Sequence, residues 1–104
     1  MSLKLLGLMR RANALSIGQD KAIPSVRNGK AKLLLIPSDA TDRTVKNAES
    51  AVKDSSVQLI QVPYTSSEMA RAIGIDNCMM LAINDEGFAK SFRKSLTKEI
   101  TEGM

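Results

Sequence analysis

The sequence predicts an α/β fold, a three-layer α/β/α sandwich around a small, mostly parallel mixed sheet, in a single domain of residues 1–104. Three short runs, at residues 33–36, 57–62 and 78–83, are typical of strands, and the first and the last of them are apolar throughout. Stretches with helical spacing of their apolar residues separate these runs. Strands that alternate with helices predict right-handed crossovers, which place helices on both faces of the sheet.

The N-terminal segment, residues 3–15, is predicted to form an amphipathic helix. Its apolar residues recur along one stripe and are Leu5, Leu8, Met9, Ala12 and Leu15. Lys4, Arg10 and Arg11 fall outside that stripe, where water would solvate them. Residues 16–18 then predict a turn, with room for a very short strand.

A second, shorter helix is predicted to run to about Asn28, with Gly29 as its C-terminal stop. Pro24 complicates this helix because proline cannot donate a helical hydrogen bond. Either the helix begins late, near Ala22 or Ile23, with Pro24 in its first turn, or it is kinked at Pro24.

The middle of the chain alternates strands and helices. After the first apolar run, capping residues at 38–41 lead into a helix. That helix is expected to bury Val45, Ala48, Ala51 and Val52. The strand at 57–62 follows, and the spacing of Thr65 and Glu68 is that of a capping box. It opens a short helix that should end at Gly74.

The C-terminal part is predicted to supply the central strand and the last helix. Residues 78–83 are apolar throughout, which favours a position inside the sheet. Residues 84–87 then start a helix that runs to about Ile100. Its inward face is predicted to carry Phe88, Phe92, Leu96 and Ile100.

Cysteine and histidine usage excludes several kinds of site. The chain has one cysteine and no histidine, so zinc and other transition-metal sites lack their usual ligands, and no metal or cofactor is expected. Nucleophile pairs that need histidine are excluded as well. Cys78 lies in an apolar run and is expected to be a buried, inert thiol.

With neither a secretory leader nor a membrane span in the sequence, a cytoplasmic location is expected.

Two aspartates follow predicted strands, at the place where open α/β sheets bind ligands. Asp39 and Asp85 could form a paired-carboxylate site, or each could cap the helix that follows it. No nucleophile, general base or phosphate-binding glycine motif accompanies them in the sequence. The sequence therefore predicts a protein that is not an enzyme.

Positive charge is concentrated in the first third of the chain. Residues 1–38 hold seven basic residues against Asp20 alone, whereas residues 39–104 hold eight basic and ten acidic residues. This asymmetry indicates either a polyanion partner on one side of the fold or a solvated basic surface without a partner. Charge alone leaves both interpretations open.

The aromatic residues indicate which type of nucleic acid the protein could bind. Proteins that stack single-stranded bases need exposed aromatic platforms, and this chain has only Tyr64, Phe88 and Phe92. Both phenylalanines belong to the predicted inward face of the last helix. The composition therefore favours a protein that recognises structured RNA by its shape.

The turn before the second helix is the most suggestive segment for binding. A glycine at position 18 lets the backbone turn tightly and approach a ligand. The start of the following helix presents unpaired N–H groups that suit a phosphate. An ordinary loop without function is the alternative interpretation of Gly18, Gln19, Asp20 and Lys21.

Several segments, taken in order, resemble a known family. They are residues 5–8, 11–12, 18, 28–33, 39–40, 71–74 and 85–90. The chain is similar to bacterial YlxQ-like proteins, relatives of archaeal and eukaryotic large-subunit ribosomal proteins that bind kink-turn RNA. The similarity covers nearly the whole chain, and the family's fold is the sandwich predicted above.

The resemblance implies non-catalytic binding of a sharply bent RNA with sheared G·A pairs. Two loops would make the contacts: Gly18, Gln19, Asp20 and Lys21 would read guanine edges, and Val62, Pro63, Tyr64 and Thr65 would pack against extruded nucleotides. Arg27 is added to this predicted RNA-binding set because of its charge. The expected partner is ribosomal RNA or another structured RNA carrying a kink-turn, with ribosome association left open. No membrane partner is expected, and a domain of this size can work as a monomer.

The loop departs from the family pattern at three positions. Asp20 stands where relatives carry asparagine, Lys21 where they carry glutamate, and Pro24 where they carry lysine. Ser66 and Ser67 also replace lysines that are frequent in relatives. Asp20 can still accept from a guanine N–H, and Lys21 can donate to guanine O6 or a phosphate. The alternative function is a protein–protein interaction module on the same fold that has lost kink-turn specificity.

Overall fold

Four strands form one mixed sheet between two layers of helices in a computed structural model that describes residues 2–102. The elements follow the order expected from the sequence. They are α1 (Ser2–Arg11), β1 (Leu15–Ile17), α2 (Gln19–Arg27), β2 (Leu33–Ile36), α3 (Asp42–Val52), β3 (Gln58–Gln61), α4 (Ser66–Ile73), β4 (Leu81–Ile83) and α5 (Glu86–Glu102). The predicted α/β/α sandwich is confirmed.

The strand order is β1-β4-β2-β3, with β4 inside the sheet as predicted. β2 and β3 pair in parallel, whereas β4 pairs antiparallel with both β1 and β2. The sheet is mixed as expected, but the expectation that it is mostly parallel was wrong. The physical reason is the return path: after α4, residues 74–80 bring the chain back to the edge where β3 ended, so that Leu81 starts β4 opposite Ile17.

Both faces of the sheet are covered, because alternate residues of its inner strands point to opposite sides. Leu33 and Leu35 of β2 pack with α1, α4 and α5, while Leu34 and Ile36 pack with α2 and α3. All four leucine and isoleucine side chains are buried. This continuous apolar strand is what two-sided burial requires.

Helix α1 buries a stripe that only partly matches the predicted one. Met9 is fully buried as predicted, but Leu6 is fully buried as well and Leu8 is 51% exposed. The helix ends at Arg11, so Leu15 belongs to β1 instead of the helix. Asn13 has a φ of 58°, and this left-handed residue separates the two elements.

Helix α2 ends at Arg27 with Gly29 in the left-handed region, which confirms the predicted stop. Its start was predicted less well. The helix begins at Gln19 and Pro24 lies inside it, so the alternative of a late start was wrong. Pro24 is exposed, and its missing N–H leaves the carbonyl of Asp20 without the usual donor four residues on.

The later elements follow the sequence in part, since Ile100, which was predicted on the inward face of the last helix, is 51% exposed. The capping box is present: Thr65 accepts from the N–H of Glu68, and Glu68 accepts from the N–H of Thr65. Strand β4 is shorter than predicted, because only Leu81–Ile83 pair. Cys78 lies before it, buried as expected, and burial raises the pKa of its thiol to about 11. Within residues 2–102, none of the helices combines the length and the apolar character that crossing a membrane requires.

Candidate nucleic-acid interface

Three loops meet at one edge of the sheet. Strands β1, β2 and β3 all run in the same direction, because β1 and β2 are both antiparallel to β4. Their carboxyl ends therefore lie together and carry residues 18–21, 37–41 and 62–65. We call these three segments the loop edge. Both loops predicted to bind RNA belong to it, so the fold brings them to one side of the molecule.

The paired-carboxylate alternative does not fit this topology. Because β4 runs in the opposite direction, Asp85 lies at the far edge of the sheet from Asp39. Asp85 caps α5, where its Oδ1 accepts from the N–H of Phe88 at 2.8 Å. Among the residues that the structure describes, no cluster of three or more potential metal ligands occurs.

Gly18 shapes the first loop. Its φ of 89° and ψ of 157° are almost exclusive to glycine, and its N–H donates to the carbonyl of Met80 at 2.9 Å. Gly18 is also the N-cap of α2, which has no side-chain cap hydrogen bond in the described chain. The N–H groups of Gln19 and Asp20 therefore have no capping side chain, while the N–H of Lys21 donates to the carbonyl of Gly18 at 3.2 Å.

Of the three residues after Gly18, one is held by a side-chain hydrogen bond and two are exposed. The amide oxygen of Gln19 accepts from Nδ2 of Asn47 at 3.0 Å, which ties the loop to α3. Asp20 and Lys21 are exposed at the start of α2. Their side chains are placed to reach a ligand at the loop edge.

Two side-chain hydrogen bonds through Asn84 hold α2 against the sheet. Ser25 donates from Oγ to Oδ1 of Asn84 at 2.7 Å, and Nδ2 of Asn84 donates to Oγ of Ser16 at 2.9 Å. These bonds join α2, the end of β4 and β1. The helix that presents Asp20 and Lys21 is thus held to the strands beneath it.

In the second loop, only some of the four residues predicted to contact RNA are accessible. Val62 is 1% exposed and packs in the core, so its side chain cannot contact RNA. Pro63 is exposed, and Thr65 caps α4. Tyr64 is half-buried against the core, and its hydroxyl donates to the carboxylate of Glu99 in α5.

The Tyr64–Glu99 pair braces this loop against the end of α5. Burial, together with the hydrogen bond to Glu99, raises the pKa of Tyr64 to about 12. Burial alone would raise the pKa of Glu99, but the hydrogen bonds from Tyr64 and the N–H of Ser2 lower it. No local pattern in the sequence indicates this contact, since Tyr64 lies in the loop before α4 and Glu99 lies 35 residues later in α5.

Titration of the tyrosine tests this contact directly. The protein has one tyrosine and no tryptophan, so phenolate absorbance reports Tyr64 alone. We expect a midpoint near pH 12 and a lower midpoint in Glu99→Gln. Because the folded-state pKa lies above the unfolded value of about 10, the free energy of unfolding should fall as the pH rises from 10 towards 12. A wild-type midpoint at the ordinary value for tyrosine would contradict the contact.

The middle loop, residues 37–41, connects the other elements of the loop edge. The carboxylate of Asp39 accepts from the N–H and the hydroxyl of Ser66, at 2.8 and 3.0 Å. The backbone hydrogen bond from Ser66 holds the pKa of Asp39 below its usual value. Ser38 donates from its N–H to the carbonyl of Tyr64 at 2.8 Å. Asp39 therefore positions the start of α4, whereas the sequence indicated a cap on its own following helix.

Arg27 does not join the loop edge. It lies six residues after Lys21 on α2, which is about 9 Å along the helix axis and roughly 120° around it. It is exposed at the C-terminal end of the helix, at the opposite edge of the sheet. The predicted RNA-binding set therefore comprises two separate surfaces.

Comparison with known proteins agrees with this fold. The family model described as "Ribosomal protein L7Ae/L30e/S12e/Gadd45 family" matches residues 2–93. The chain belongs to this family.

Two curated members of the L7Ae family are similar over most of their length. Both are named "RNA-binding protein YlxQ". The one from Bacillus subtilis (strain 168) is 37% identical over 89 residues, 82% of this chain and 84% of that protein. The one from Enterococcus faecium is 35% identical over 106 residues, 98% of this chain and 92% of that protein. These relatives confirm the resemblance to YlxQ-like proteins found in the sequence.

Solved structures show the same L7Ae-type fold. A Bacillus halodurans protein described as having unknown function superposes with a TM-score of 0.85 at 27% identity, covering 92% of this chain and 96% of that one. The Giardia lamblia 15.5kD RNA binding protein superposes with a TM-score of 0.74 at 20% identity, covering 92% and 82%. The second likeness supports the fold alone.

Proposed function

We propose that this protein binds structured RNA in the cytoplasm without catalysis, and that the loop edge recognises a kink-turn or a kink-turn-like element. The observation that carries the proposal is the convergence of residues 18–21 and 62–65 on one edge of the sheet. These two segments lie far apart in sequence, yet each was predicted to contact RNA. The names of the two YlxQ relatives support RNA as the ligand.

The start of α2 supplies the chemistry for reading a guanine edge or a phosphate. Without a capping side chain, the N–H groups of Gln19 and Asp20 can donate to an anionic oxygen, and the helix dipole favours negative charge there. The carboxylate of Asp20 can accept from a guanine N–H, and Lys21 can donate to guanine O6 or to a phosphate. The brace through Gln19 and Asn47 lowers the entropy lost when the loop binds.

The second loop supplies a surface of fixed shape. Tyr64 donates from its hydroxyl to Glu99 of α5 and accepts at its carbonyl from the N–H of Ser38. Asp39 holds Ser66 at the start of α4, directly after the loop. Pro63 is the exposed residue of this loop and can pack against an extruded nucleotide. Such contacts recognise the shape of a bent RNA more than its sequence.

A titration against a generic kink-turn RNA, beside a straight duplex without the bulge and the G·A pairs, tests the proposal. It should be run at two salt concentrations, because phosphate contacts make RNA affinity depend on salt. We expect tighter binding to the kinked RNA, and a weaker preference for it in Lys21→Ala. Equal, strongly salt-dependent binding to both RNAs would contradict kink-turn recognition. Binding to neither would favour the protein–protein interaction alternative that the changes at Lys21 and Pro24 suggest.

A further inference from the structure

The loop edge has no excess of positive charge. Across its three segments the charged residues are Lys21, Asp20 and Asp39. RNA affinity depends on basic side chains that neutralise phosphates and release counterions. The loop edge can therefore read an RNA, but the attraction to its backbone must come from another part of the surface.

We propose that a basic cleft at the opposite edge of the sheet is a second RNA contact, which grips phosphates of the duplex that flanks the bend. This proposal rests on the proposed function, because it takes RNA as the polyanion. The cleft has a volume of about 570 Å³, and Arg27, Lys32 and Arg93 line it together with Glu86. We call it the distal cleft.

Three separate elements position the basic side chains. Arg27 ends α2, Lys32 directly precedes β2, and Arg93 lies in α5. The backbone beneath them is fixed, since Lys32 donates from its N–H to the carbonyl of Ile83 at 2.7 Å. Ala31 is 3% exposed and donates from its N–H to the carbonyl of Ser25 at 2.9 Å. The backbone beside the cleft is thus hydrogen-bonded to the end of β4 and to α2.

The chemistry of the cleft suits phosphate oxygens. Two guanidinium groups offer planar pairs of donors, and a lysine adds a compact charge. The space around Gly29 is open, with no atom within 4 Å of where a Cβ would stand, so a ligand can approach the backbone there. Glu86 is the acidic residue in the lining and lies in the first turn of α5, where the helix dipole favours it.

The size of the molecule allows one RNA to reach both surfaces. The longest dimension of the fold is 33 Å, and α2 spans the distance between the loop edge and the distal cleft. A bent RNA read at the start of α2 can therefore direct its flanking helix past Arg27. This division separates recognition of the bend from attraction to phosphates.

A variant of the distal cleft and a matched control elsewhere on α5 test how much the cleft contributes to RNA affinity. The cleft variant combines Arg27→Ala, Lys32→Ala and Arg93→Ala. The matched control combines Lys90→Ala, Lys94→Ala and Lys98→Ala, which removes the same charge from an exposed face of α5 outside the distal cleft. Circular dichroism would check that both remain folded. Each protein is titrated with a kink-turn RNA of minimal stems, the same RNA with one long stem, and a straight duplex.

We expect the cleft variant to lose roughly tenfold or more in affinity for the long-stemmed RNA, with a salt slope shallower by about 3. Its preference for kinked over straight RNA at minimal stem length should remain. Equal losses in the cleft variant and the control would overturn the proposal, as would a wild-type affinity that does not rise with stem length. If the wild-type protein showed no preference for kinked RNA, the proposed function would be contradicted instead. The affinity of the cleft variant for the straight duplex, compared with that of the control, would still test the cleft.

Discussion

Gly18→Val should abolish the preference for kinked RNA and destabilise the protein by about 1–3 kcal/mol. At a φ of 89°, a β-branched side chain is strained whatever the space around it. A Cβ would also lie 2.9 Å from Oδ1 of Asp20, so the residue proposed to read guanine would have to move. Denaturant unfolding measures the stability, and the kinked and straight RNA titrations measure the preference.

Gly74→Val is the matched control for this change. Gly74 also has a positive φ, 75°, but it ends α4 away from the loop edge. The variant at position 74 should have a lower free energy of unfolding but an unchanged preference for kinked RNA. If Gly18→Val kept the wild-type preference, the first loop would not be the reading surface. If both variants lost it equally, general destabilisation would explain the result.

Phe92→Ala should have the largest effect on stability, with a loss of about 3–5 kcal/mol. Phe92 is fully buried in the core that α1, α4 and α5 form with the sheet. Its removal takes away aromatic packing and leaves a cavity that the surrounding side chains fill only in part. For a domain of this size the loss corresponds to a fall in melting temperature on the order of 20 °C.

Phe88→Ala provides the comparison within the same helix. Phe88 lies one turn before Phe92 but is only partly buried, so its removal should cost less. Thermal and denaturant unfolding of both variants would give the difference. Equal losses at the two positions would contradict the burial that separates them.

Elements specified by local chemistry were predicted well from the sequence. The apolar run of β2, the capping box at Thr65 and the glycine that stops α2 each act within a few residues of the chain. Such signals need no partner from elsewhere in the fold. The buried face of helix α1 was harder to predict, because Leu8 fits the apolar spacing of the helix but is exposed in the folded protein.

The candidate site was only partly predictable, for reasons of geometry. The family resemblance predicted RNA contacts in two of the three segments of the loop edge, and the predicted set grouped Arg27 with them. The position of Arg27 depends on how far and in which direction α2 runs from Gly18. Likewise, the contacts of Tyr64 with Glu99 and of Asp39 with Ser66 join residues that no local pattern relates.

The sequence by itself determined the α/β/α layers, the order of the elements, the absence of histidine chemistry and the family. These follow from hydrophobic periodicity, capping residues, composition and motif order, all of which the chain carries locally. Only the tertiary structure decided that β4 is antiparallel, and with it that Asp85 lies far from Asp39 and that three loops share one edge. Strand direction is set by where the chain re-enters the sheet, and that depends on long-range pairing and packing instead of local preference.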